Sequence, residues 1–153
     1  MDANRRDFMT TAGIAAAASA LSGASPAQAV EINAMQPTPA QIQAFVALPD
    51  TSPIVMLNLL KFKADGGQAE YAKYSAGVLP LVAKHGGKVL FMGRGEFCFI
   101  GSANWDAVAL VQYPSKRAFL EMTSSAEYQA IHHHRDAGLE GQVLYALQQA
   151  GPA

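Results

Sequence analysis

The chain has 153 residues, half of them hydrophobic and 15% charged, and its 11 Lys and Arg against 12 Asp and Glu give a formal net charge of −1. Near-neutrality without a Lys/Arg block leaves no electrostatic footprint for nucleic acid or for an acidic membrane surface. A single cysteine, Cys98, excludes an intramolecular disulfide. Its setting in Phe97-Cys98-Phe99-Ile100 predicts a buried, unreactive thiol, because apolar surroundings disfavour the thiolate.

The first segment reads as a leader. Paired Arg5 and Arg6, an Ala-rich apolar stretch from about Thr10 to Leu21, and Ala27-Gln28-Ala29 follow the order of a twin-arginine export signal over residues 1–29. The stretch is too rich in Ala, Gly and Ser for a lipid anchor, which needs roughly 20 predominantly apolar residues, so no stable membrane span is expected. The signal implies passage through the twin-arginine translocase and a mature, periplasmic or secreted chain that starts at Val30 and suits one compact domain.

Residues 30–53 form an arm and a short helix, with Thr38 as its N-cap, Pro39 at its first position and an end near Leu48. Residues 54–150 hold the main domain. Ile54 to Phe62 is a strand with apolar residues on both parities, so both of its faces should be covered. Asp65-Gly66-Gly67 turns into a helix from Gln68 to His85, with Tyr71, Tyr74, Val78 and Leu81 as its apolar stripe. Pro80 should kink it near Ala76-Gly77, and Gly86-Gly87 ends it. A second strand runs from Lys88 to Glu96 and on to Ile100; a third runs from Trp105 to Tyr113. Ser115 caps the next helix. Ser124-Ser125-Ala126-Glu127 is a capping-box pattern opening a helix from Ala126 to Leu139, and Gly141 to Leu147 is the last strand.

The order strand, helix, strand, strand, helix, strand predicts an α+β, ferredoxin-like βαββαβ domain: an antiparallel sheet with helices on one face. The first and third strands are apolar on both sides, so the other face needs a partner. A second copy of the sheet is the simplest, giving a homodimer.

Val55-Met56-Leu57-Asn58-Leu59-Leu60-Lys61-Phe62, Lys84-His85-Gly86-Gly87-Lys88-Val89-Leu90, Gly93-Arg94, Trp105 to Ser115 and Glu127-Tyr128-Gln129-Ala130-Ile131-His132-His133-His134-Arg135 together resemble domain-of-unknown-function family 1330. The resemblance runs from about Ile54 to Leu147. It implies the ferredoxin-like fold and the dimeric α/β barrel. Related families include cofactor-free monooxygenases, isomerases and haem-handling proteins. The leader and the Thr38–Leu48 helix are additions to the family core.

Chemistry-bearing residues cluster in the second half. Successive helical residues point about 100° apart, so His132, His133 and His134 cannot converge on one metal ion; no metal and no cofactor is expected. The helical wheel puts His132 at the edge of the core face and Arg135 near its centre. There the guanidinium either snorkels outward or meets an anion: Glu96, Asp106 or a bound carboxylate. Arg94 and Glu96 share a strand face and suit an ion-pair network, with a place in the ligand pocket as the alternative. Asn58, polar within an apolar strand, needs partners from the protein or from a ligand. His85 fits a helix C-cap, with general base as the alternative. Tyr71, Tyr74 and Trp105 are core or pocket wall.

The chain lacks G-x-S-x-G, P-loop, G-x-G-x-x-G and H-E-x-x-H motifs, which removes serine hydrolase, nucleotide and zinc-protease readings. Two functions are left. One is a small-molecule enzyme of oxygenase, isomerase or lyase type, with a pocket between sheet and helices carrying Asn58, His132, Arg135 and Arg94. The other is a non-catalytic periplasmic protein binding a small organic ligand or haem.

Overall fold

The computed structural model describes residues 34–50 and 53–148; Arg5, Arg6 and Ala29 lie outside them. Thr38 opens helix α1 (Pro39–Ala47) with a reciprocal capping box: its hydroxyl accepts from the Gln41 amide and the Gln41 side chain accepts from the Thr38 amide. The remaining elements are β1 (Ile54–Phe62), α2 (Gly67–Lys84), β2 (Lys88–Arg94), β3 (Ala107–Tyr113), α3 (Lys116–Ser124), α4 (Ala126–Gly138) and β4 (Leu139–Gln148). The strands form one sheet in the order β2-β3-β1-β4, every pair antiparallel. This is the expected ferredoxin-like arrangement, and the helices α2, α3 and α4 are the layer on one face.

β1 lies between β3 and β4, and its two faces carry different apolar sets. Ile54 and Met56 point at the helices and join Tyr74, Val82, Met122 and Tyr128 in the core. Leu57 and Leu59 alternate to the other face. There Leu57 lies opposite Leu110 and Tyr145, and Leu59 opposite Val108 and Val143, so the side away from the helices is apolar across three strands.

Four details depart from the sequence reading. Pro80 does not interrupt α2, which runs unbroken over 18 residues. Pro80 cannot donate to the Ala76 carbonyl, but both residues are exposed, so water can satisfy it. Second, β2 stops at Arg94 instead of Ile100, and β3 begins at Ala107 instead of Trp105. Asp106 ties the start of β3 to β1: its amide donates to the Leu60 carbonyl, and its carboxylate accepts from the Phe62 amide (2.8 Å) and Lys61 (3.0 Å). The Gly95 amide still donates to the Asp106 carbonyl, and beyond that bond no described ladder pairs Phe97–Ile100 with the chain ahead of β3. Third, Cys98 is half-exposed, not buried, and donates to the Ile100 carbonyl; Phe97, Phe99 and Ile100 are 84–86% exposed. Fourth, Ser125, not Ser124, caps α4 by accepting from the Tyr128 amide, while Ser124 closes α3.

One close approach fixes the corner that carries the site. A Cβ on Gly138 would lie 2.7 Å from the Gly67 carbonyl and 2.8 Å from the Tyr71 amide; a Cβ on Gly67 would lie 2.5 Å from the Gly138 carbonyl. Only paired glycines let the start of α2 meet the end of α4 at this distance. Among the described residues no helix is long and apolar enough to cross a membrane.

Candidate functional site

Arg135 projects from the buried side of α4 and is 6% exposed. It neither snorkels nor meets Glu96 or Asp106. Its Nε and one terminal nitrogen both donate to the Gln142 side-chain oxygen on β4. The other contacts are the Asn58 carbonyl oxygen at 3.4 Å, the Tyr74 hydroxyl at 3.3 Å and the Tyr71 hydroxyl at 3.5 Å. The guanidinium also lies 5.2 Å from the Tyr74 ring centre, within cation–π range. Every acceptor is neutral. Among the described residues no carboxylate pairs with this buried cation.

Asn58 is thereby satisfied by protein: its amide donates to the Met56 and Ala109 carbonyls, and its oxygen faces Arg135. Tyr74 and Tyr128 hydroxyls meet at 3.3 Å behind the guanidinium. Burial lifts the Tyr71 phenol above its ordinary value of 10 against the pull of Arg135, so it is protonated at neutral pH. Burial does the same for Tyr128.

A cleft of about 250 Å³ opens between α2 and the sheet. Its walls are Leu60 and Phe62 of β1, Tyr71, Ala72 and Ser75 of α2, Met92 and Gly93 of β2, and Ala107 to Ala109 of β3, with Gln68 beside them. The lining is mostly apolar and contains no Asp, Glu, Lys or Arg. The volume is below the roughly 300–1,000 Å³ of sites for drug-sized ligands, which suits a smaller molecule. Tyr71 joins the two features, since it lines the cleft and its hydroxyl accepts from Arg135.

The other expected site residues lie elsewhere. His132 faces Asp136 at 3.4 Å and packs on the Tyr128 ring, outside the cleft lining. His85 is the C-cap of α2, and its Nδ1 donates to the Leu81 carbonyl at 2.9 Å, which is the capping role. Arg94 and Glu96 are exposed and do not pair with each other, because β2 ends between them. Trp105 is half-exposed just ahead of β3, with its carbonyl against Gly95. His134 meets Glu70 of α2 at 2.6 Å; Lys73 first and His134 second hold that carboxyl below its usual range. Among the described residues no three His, Cys, Asp or Glu side chains are grouped to hold a metal ion.

Gln142, Gln68 and Ser75 escaped the sequence reading. A glutamine in a half-exposed strand and polar residues on a helix carry no signal until the partner elements are placed.

Residues 64–147 match the model of a domain of unknown function, DUF1330. The chain belongs to the DUF1330 family. It is similar to a protein of unknown function from Rhodopseudomonas palustris at 33% identity. The crystal structure of that protein superposes with a TM-score of 0.70, covering 76% of this chain and 97% of that one. Its methylated form gives 0.73, covering 80% and 98%. A dimeric ferredoxin-like protein of unknown function from Jannaschia is similar in fold at 14% identity, with a TM-score of 0.53 over 63% of this chain and 99% of that one. Among curated proteins none matches this DUF1330 chain. The family and the fold neighbours agree with the βαββαβ architecture.

Proposed function

We propose that this protein is exported and binds a small, mainly apolar organic molecule in the cleft between α2 and the sheet. The observation that carries the reading is the cleft itself: an apolar lining of suitable size with a few polar groups, of which Tyr71 is backed by a buried guanidinium. Titrating the full chain with the neutral fluorophore N-phenyl-1-naphthylamine tests it. Saturable binding of one probe per chain is expected, and Ala72→Trp, at an exposed position on the cleft wall, should abolish it. Undiminished binding by Ala72→Trp would refute the reading.

A catalytic version, of oxygenase, isomerase or lyase type without a cofactor, finds support in the Tyr71–Arg135 contact alone. His132 faces Asp136 outside the cleft, and a phenol held protonated donates a proton or hydrogen bond but is a poor base. A haem in this cleft would lack a histidine among the lining residues. Ligand binding is therefore the better-supported function.

Two further proposals complete the reading. The apolar sheet face of Leu57, Leu59, Leu110, Val143 and Tyr145 packs on a second copy; the dimeric Jannaschia fold neighbour supports this. Arg5-Arg6 and Ala27-Gln28-Ala29 support export by the twin-arginine translocase to the periplasm or beyond. Arg5→Lys with Arg6→Lys should strand the precursor in the cytoplasm, and normal export would contradict the address.

A further inference from the structure

We propose that the cleft selects anions: its ligand carries a carboxylate or similar anionic oxygen that accepts a hydrogen bond from Tyr71, with Arg135 as the buried positive charge behind it. The inference rests on the cleft being the binding site and names the chemistry of what enters. Three observations carry it. A guanidinium at 6% exposure meets only the neutral oxygens of Gln142, Asn58, Tyr71 and Tyr74, so its charge is solvated but not neutralised. Removing a charge from water without a counter-charge is costly, and a structure that sustains it presents a net positive potential to the nearest open space.

Tyr71 brings that potential to the cleft, since it is the residue of the described lining that hydrogen-bonds to Arg135. The Tyr71 oxygen accepts from the guanidinium, and among the described residues its own proton has no acceptor. A hydroxyl polarised in this way is a stronger donor, and donation to an ionised oxygen is about twice as strong as to a neutral one. Nothing in the lining opposes the selection, since it holds no charged side chain. Of the charged residues that flank the lining in sequence, Lys61 is matched with Asp106 and Glu70 with Lys73 and His134, while Arg94, next to Gly93, is exposed to solvent.

The test compares two probes of nearly equal shape, 2-naphthoate and its neutral isostere 2-naphthamide, by calorimetric titration of the full chain. The naphthoate should bind at least tenfold more tightly. Tyr71→Phe, which keeps the ring and the wall, should cut that preference below about threefold while leaving the amide affinity within twofold. Equal affinities in the wild type overturn the inference whether or not the variant folds, as does a preference that survives Tyr71→Phe. If both probes bind equally and Ala72→Trp blocks both, anion selection alone is refuted and the cleft stands. If neither probe binds, the cleft reading falls and takes the selection with it.

Discussion

Replacing Arg135 with Met separates what the guanidinium does for stability from what it does for binding. Met keeps an unbranched apolar stem that ends where the guanidinium of Arg begins, and it donates nothing. Tyr71 and Tyr74 have protons of their own and can re-pair, whereas the side-chain oxygens of Gln142 and Asn58 can only accept. Each orphaned buried acceptor costs about 1–3 kcal/mol. Asn58 is 9% exposed and bears the full penalty, while Gln142 is half-buried and can recruit water. Against this, the variant no longer desolvates an ion, which returns part of the cost. The net expectation is destabilisation of about 2–3 kcal/mol. At about 1–3 kcal/mol per molar of urea, that moves the unfolding midpoint down by about 0.7–3 M, read by circular dichroism. The double variant Arg135→Met/Asn58→Leu should recover some of the loss, because the buried orphan oxygen goes with it. A single variant as stable as the wild type, or more so, would refute the reasoning that these oxygens depend on the guanidinium.

Other outcomes follow from single features. Gly138→Ala forces a Cβ against the Gly67 carbonyl and the Tyr71 amide, so it should cost about 1–3 kcal/mol and weaken probe binding by displacing Tyr71; unchanged stability would mean the corner is softer than its geometry. Leu57→Asp, in the middle of the apolar sheet face, should convert a dimer to a monomer by light scattering, and an unaltered mass would place the interface elsewhere. Burial raises the Asp106 pKa, but the Phe62 amide and Lys61 more than reverse it, leaving the carboxyl below its ordinary 3.8. Its contribution to stability is therefore complete above the unfolded value and lost as pH falls through the depressed one. Asp106→Asn should be less stable at pH 7 and lose less than the wild type on acidification; a parallel acid profile would contradict the pairing.

The order of elements was legible because each boundary carries a local cause: Thr38 with Gln41 and Pro39, Gly86-Gly87, and the serines before α3 and α4. The apolar character of both faces of β1 was legible in its unalternating pattern, whereas its place between β3 and β4 was not, because edge pairing is set by strands remote in sequence. The error at Phe97–Ile100 has a non-local source. Four apolar residues read as strand, but the ladder between β2 and β3 ends at Arg94 opposite Ala107, and no described strand lies beside Phe97–Ile100. Arg135 showed a similar limit. Its helical phase correctly put it in the core, yet its partners sit 64 residues before it on α2, 77 before it on β1 and 7 after it on β4. The sequence left it either snorkelling outward or meeting an anion, and the fold supplied neutral oxygens instead. The histidine run drew attention by composition, but its side chains go to Asp136 and Glu70, leaving the cleft to Tyr71.

The most direct measurement for the cleft is a ¹H–¹⁵N correlation spectrum of the full chain titrated with 2-naphthoate. The account predicts saturable shifts centred on the amides of Tyr71, Ala72, Ser75, Met92 and Val108, with Leu57, Leu110 and Tyr145 on the opposite sheet face unmoved. Shifts confined to that opposite face, or no saturable shifts at all, would contradict it.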